Sequence, residues 1–200
     1  LLAYSAHTSA FNANMVASEM FLDTAQIRKN VVSRAKELGY TPSSRTAAKA
    51  TFDLSVNSPT VAGETPENLS ILRGHEFRTI YDGTPFTFIA LENKTITSSS
   101  GSFVFDNLDV YQGKLATDVY RYSSQVANQR FEILNANVDT STIKININSN
   151  NTVTSWKQAG DLTDVKSSST VFYLQENDDG LFEVYFGDGI IGAEPKDGDL

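Results

Sequence analysis

Two hundred residues with 40% apolar content are enough for one large or two small cores, and about 70% of the unfolded surface could be buried on folding. Sixteen Lys and Arg against 24 Asp and Glu leave a net charge of -8, which repels a phosphate backbone and argues against nucleic acid as a partner. There is no cysteine and there are only two histidines, so a disulfide framework and a thiolate metal site are excluded, imidazole ligation has little to work with, and an intracellular folding compartment is the simpler expectation.

The opening segment follows a helical period. Tyr4, Phe11, Met15 and Leu22 recur at spacings of seven, four and seven between Leu2 and Leu22, while Ala6, Ala10, Ala13 and Ala17 line another side. A bulky stripe beside an alanine stripe suits close helix packing. Asp23 or Thr24 is the expected cap of a second helix, with Gln26 as capping-box partner and Ile27, Val31, Val32, Ala35 and Leu38 as its apolar face. Gly39 should end it, and Pro42 prevents it from resuming.

Past Pro42 the period drops to two. Phe52, Leu54 and Val56 alternate with polar residues, as do Phe86 and Phe88, Phe103 and Phe105, and Phe131 and Ile133. Ile143, Ile145 and Ile147 alternate with Lys144, Asn146 and Asn148, which predicts a strand with one core face and one wet face. Val171–Leu174 and Phe182–Phe186 flank Asn177-Asp178-Asp179-Gly180 and read as a β-hairpin. Ser98–Ser102 and Ser149–Ser155 read as polar joints. The fold class expected is α+β: an N-terminal helical pair (residues 1–42) followed by mainly antiparallel β subdomains, a first at 43–109 and a second at 110–200.

Motifs that could carry chemistry fail on context. Gly187-Asp188-Gly189-Ile190-Ile191-Gly192 matches G-x-G-x-x-G, but Pro195 and Gly198 interrupt the helix that a dinucleotide site needs, so it reads as a turn. His75 has no G-x-S-x-G elbow to serve and reads as a turn or surface residue, while His7 reads as a helix-packing or surface residue. Asp178 and Asp179 suit a hairpin tip, and the calcium-loop pattern is not met upstream of Gly180. Asn68, Asn93 and Asn150 begin N-x-[ST] triplets, discounted in a chain without cysteines or a signal peptide. Trp156 lies in a polar stretch, where it is either a packing residue at a sheet edge or an exposed platform for a partner or a sugar. No catalytic residues, cofactor or metal ligands are expected.

The order of segments then resembles a known family. Val31-Val32-Ser33-Arg34-Ala35-Lys36-Glu37-Leu38-Gly39-Tyr40-Thr41-Pro42 leads to Ala47-Ala48-Lys49-Ala50. Val110-Tyr111-Gln112-Gly113, Gln129-Arg130-Phe131, Asn137-Val138-Asp139-Thr140-Ser141 and Val184-Tyr185-Phe186-Gly187-Asp188-Gly189-Ile190-Ile191-Gly192 follow in turn. Together they resemble the baseplate J-like wedge proteins of contractile phage tails, in the right order over nearly the whole chain. The resemblance implies a non-enzymatic structural protein of the virion, assembled in the host cytoplasm. It implies pairing with a second copy of itself and with other wedge proteins, in a ring around the hub that rearranges on contraction. No nucleic acid, membrane or small-molecule substrate is implied. It also implies that the chain, which has no Met before Met15, is an interior piece of a longer polypeptide.

On that reading Phe11, Met15 and Leu22 are the expected partner-interface residues. The competing reading is a carbohydrate-binding or adhesive β-module of a phage tail, with Trp156 and neighbouring tyrosines as stacking platforms. An enzyme ranks third, since no nucleophile, base and orienting group can be named together.

Overall fold

The computed structural model describes residues 2–57, 66–98, 101–160 and 162–200. The fold is α+β, with two N-terminal helices, α1 (Leu2–Glu19) and α2 (Arg28–Glu37), ahead of mostly antiparallel strands. The chain divides into two compact units: one comprises Thr46–Thr117, and the other joins Leu1–Arg45 to Asp118–Leu200.

The end of α2 forms as its sequence requires. Gly39 takes φ +77°, its N–H donates to the Lys36 carbonyl at 2.9 Å, and the Tyr40 N–H donates to the Ala35 carbonyl at 2.9 Å. This double closure needs a left-handed residue that glycine supplies without steric cost. The start of α2 departs from the sequence expectation. Its cap residue is Ile27, with no side-chain hydrogen bond, and neither Asp23 nor Thr24 caps it. The Thr24 hydroxyl donates instead to the Ser18 carbonyl at 2.6 Å, closing the end of α1. The orphan N–H groups ahead of α2 are met by the Glu19 carboxylate, which accepts from Gln26 N–H at 3.0 Å and Ile27 N–H at 3.2 Å. A carboxylate donated by the preceding helix has displaced the local cap.

The unit Thr46–Thr117 is built of β1 (Lys49–Asn57), β2 (Asn68–Ile71), β3 (Glu76–Tyr81), β4 (Thr84–Ala90), β5 (Lys94–Thr97) and β6 (Ser102–Gln112). Four of these form an antiparallel sheet in the order β1-β6-β4-β3, and β2 pairs with β5. Phe52, Leu54 and Val56 share one face of β1 and pack on a buried cluster that includes Phe103, Phe105, Leu108 and Val110. The alternation along β6 slips at Asp106-Asn107, both exposed. Opposite them the register of β1 shifts between Phe52 and Leu54. Asn107 takes φ +51° and its N–H donates to Asp53 Oδ1 at 2.8 Å. The bulge restores phase, so Leu108 and Val110 return to the core side. Ser99 and Ser100, within the joint expected at Ser98–Ser102, lie outside the described residues.

In the other unit, β7 (Phe131–Ile133), β8 (Ile145–Ser149), β9 (Thr152–Gln158), β10 (Val171–Glu176) and β11 (Phe182–Phe186) form one sheet in the order β7-β11-β10-β9-β8. All neighbours are antiparallel except β9 and β10, which run parallel over a short register at Val171–Lys157 and Phe172–Gln158. The hairpin between β10 and β11 forms as expected. Gly180 takes φ +79°, and Asn177 Oδ1 accepts from the N–H groups of Asp179 at 3.0 Å and Leu181 at 2.9 Å.

The polar run Ser149–Ser155 is not a joint. Asn150 and Asn151, at φ +49° and +64°, make a two-residue turn between β8 and β9, and the rest of the run is strand. Trp156 is therefore neither at a sheet edge nor exposed. It sits on the interior strand β9 at 7% exposure, against Phe186 at 5.1 Å in an edge-to-face contact. Phe131, Ile147, Phe172, Leu174, Phe182 and Val184 complete this core.

Candidate partner-binding surface

Helix α1 carries no charged residue before Glu19, and none of its residues is buried. Phe11 and Met15, one turn apart, are 60% and 45% exposed, and Tyr4 and Val16 are likewise open. The alanine stripe Ala6, Ala10, Ala13 and Ala17 is exposed as well. The helix ends at Glu19, so Leu22, 41% exposed, lies in the following bend with Met20 and Phe21 and does not extend the helical stripe. Each bulky side chain would contribute about 1.5–3 kcal/mol if fully covered. The apolar content of α1 is thus spent on neither of the two cores of this chain.

What positions α1 is a polar junction. Glu19 accepts from Asn30 Nδ2 at 2.8 Å in addition to the two backbone N–H groups ahead of α2. The Asn30 amide first, and the Gln26 N–H next, hold its carboxyl below the usual carboxylate range. Beyond it, Arg28 reaches Glu176 at the end of β10, with Nε donating to Oε1 at 3.1 Å and Nη2 to Oε2 at 2.8 Å. Lys29 pairs with Asp178 at 3.1 Å on the hairpin tip. After α2, Thr41 Oγ1 donates to the Leu174 carbonyl at 3.4 Å, and Ser44 Oγ accepts from Thr140 N–H at 2.9 Å. Glu19, Arg28 and Glu176 were not singled out in the sequence. Arg28 and Glu176 are 148 positions apart, beyond the reach of any spacing rule.

The residues considered for chemistry are dispersed. His7 is exposed on α1, and His75 is exposed with its ring edge on Phe77 at 5.0 Å. Among the described residues there is no group of three His, Cys, Asp or Glu able to hold a metal. Asp188 accepts from the N–H groups of Ile190 at 3.0 Å and Ile191 at 3.1 Å, which lower its carboxyl below the usual range and close a turn rather than open a helix. A cavity of about 190 Å³ lies among Tyr122, Gln129, Arg130, Tyr185 and Glu194, lined by loop groups that already bond one another. Burial of Trp156 removes the indole from the stacking platforms on which a sugar-binding reading rested, leaving only its neighbouring tyrosines. No helix among the described residues is long and apolar enough to cross a membrane.

Comparison with known proteins gives two likenesses. Residues 116–200 match the family described as the third domain of the bacteriophage baseplate wedge protein gp6. The whole chain is 26% identical over 203 aligned positions to the baseplate wedge protein gp6 of Enterobacteria phage T4, of whose length it spans 29%. On these two likenesses, the chain is similar to bacteriophage baseplate wedge proteins of the gp6 type.

Proposed function

We propose that this chain is a structural, non-catalytic part of a contractile-tail baseplate wedge in the virion. In this reading the helical pair of residues 1–42 is the assembling module, and α1 packs against helices of a second copy and of other wedge proteins. The β subdomains that follow hold such contacts apart as rigid spacers. Joined into a ring around the hub, the wedges would rearrange when the tail contracts. The observation that carries the reading is a helix of 18 residues with none buried and with Phe11 and Met15 open on one stripe. An isolated surface helix normally hides such a stripe, so the cover is expected from another chain. Likeness to a protein named for the baseplate wedge supports the setting. The charge of -8 suits protein contacts over nucleic acid.

The test is association of the chain with itself and with wedge proteins by sedimentation, comparing the parent with Phe11→Asp, Met15→Asp and Leu22→Asp. Each charge placed in a covered apolar contact is expected to weaken association at least about tenfold, equivalent to about 1.4 kcal/mol. The β signature in circular dichroism should stay, because none of the three side chains belongs to a core. Association unchanged in all three, or a parent that remains a monomer with every wedge protein, overturns the proposal.

A further inference from the structure

We propose that the Arg28–Glu176 ion pair is a latch that sets the direction in which the helical pair leaves the β10–β11 hairpin. Glu176 closes β10 with its side chain 2% exposed, while Arg28, 68% exposed, opens α2. The guanidinium meets both carboxylate oxygens, at 3.1 and 2.8 Å. Two parallel hydrogen bonds fix an orientation as well as a distance, so the first turn of α2 is aimed and not merely tethered.

Packing does little of this aiming. Val32 is the one buried residue among the described residues of the two helices, and neither helix joins the apolar cluster beneath the sheet. The exit of α2 is held separately by Thr41 on the Leu174 carbonyl. The freedom that remains is at the other end, where α2 begins and α1 is attached through Glu19. A buried carboxylate left without its partner is strongly penalised, so the engaged arrangement is favoured. The exposed pair of Lys29 with Asp178 lies beside the same junction and adds a weaker, salt-screened restraint. The junction therefore has two arrangements, engaged and open, separated by an electrostatic contact and not by repacking of a core.

The chain contains no cysteine, so introduced cysteines can be labelled cleanly. Nitroxide labels at Ser9→Cys on α1 and Ser155→Cys on β9, both exposed sites, report the separation of α1 from the sheet by pulsed electron paramagnetic resonance. A single narrow distance distribution is expected in the parent. Glu176→Gln should at least double its width, and Arg28→Lys, which keeps the charge but loses the two-point geometry, should fall between. Trp156 emission monitors the sheet, and Arg28→Gln removes the same contact from its exposed side should Glu176→Gln disturb the sheet. A distribution in Arg28→Gln as narrow as the parent's overturns the proposal. A parent already as broad as Arg28→Gln does so equally.

Discussion

Tyr122 illustrates how one half-buried side chain ties distant loops to a core. Its N–H donates to the Asp199 carbonyl at 2.9 Å, its carbonyl accepts from Gly198 N–H at 2.9 Å, and its hydroxyl donates to Glu194 at 2.8 Å. Its ring packs on the cluster around Trp156. Burial first, and the Glu194 carboxylate next, push the phenol up to about 12. A phenol raised above its unfolded value of about 10 is protonated in the folded chain where the unfolded chain has lost the proton. The unfolded state then binds fewer protons, and stability falls as pH rises. The contribution is whole below pH ~10 and is lost by about pH 12. Melting temperature followed between pH 9 and 12 should therefore fall more steeply in the parent than in Tyr122→Phe. Equal slopes would show that this phenol is not what titrates. Trp156 carries a different lesson at the same scale. Its neighbours Thr154, Ser155, Lys157 and Gln158 made its stretch read as polar, yet on β9 only the indole is buried. A window average hides a strand whose inward face is met by one large side chain.

At the scale of elements, Gly187 shows that a glycine pattern can be about approach and not about ligands. Its φ is not positive, but a Cβ there would stand 2.3 Å from the Ile191 carbonyl oxygen and 2.5 Å from Gly192. The chain doubles back on itself after β11, with Gly189 N–H donating to the Gly192 carbonyl at 3.0 Å. Gly187→Ala must push backbone aside and should cost about 1–3 kcal/mol. The expected outcome is a lower midpoint in urea unfolding followed by Trp156 emission, and an unchanged midpoint would mean that the turn yields freely. Strict alternation in Ile145–Ile147 and Phe103–Phe105, the turn residues Asn177–Gly180 and the stop at Gly39 were all legible, because each depends on residues adjacent in the chain. The turn at Asp82-Gly83, with φ +48° and +73°, was equally local and was passed over. The bulge at Asn107 left its trace in the slipped alternation of β6, though Asp106-Asn107 alone reads as a turn. The cap of α2 and the contact of Arg28 with Glu176 were not legible, because their partners are brought in by tertiary folding. For the exposed stripe of α1, periodicity located Phe11 and Met15 but could not say that the rest of this chain would leave them uncovered.

For the whole molecule, the order of units along the chain has a mechanical consequence. Thr46–Thr117 interrupts a unit that begins before it and resumes after it. The inserted unit enters on β1 and leaves on β6, and these strands pair, with Lys49 opposite Tyr111 and Gln112 N–H donating to the Ala48 carbonyl at 2.8 Å. Paired antiparallel residues stand about 5 Å apart, so entry and exit occur side by side. Each unit also holds its own apolar cluster, with no residue shared between them. Replacing residues 46–117 by about six Gly and Ser residues should span the gap and leave the remaining unit folded. Trp156, the one tryptophan of the chain, belongs to that remaining unit and reports on it alone. Its emission in the shortened protein should match that of the parent, with a cooperative thermal transition. The excised 46–117 segment should show a β-type circular dichroism spectrum of its own. A red-shifted indole in the shortened protein would mean that the sheet around Trp156 depends on the insertion, and the two units would then have to be treated as one folding body.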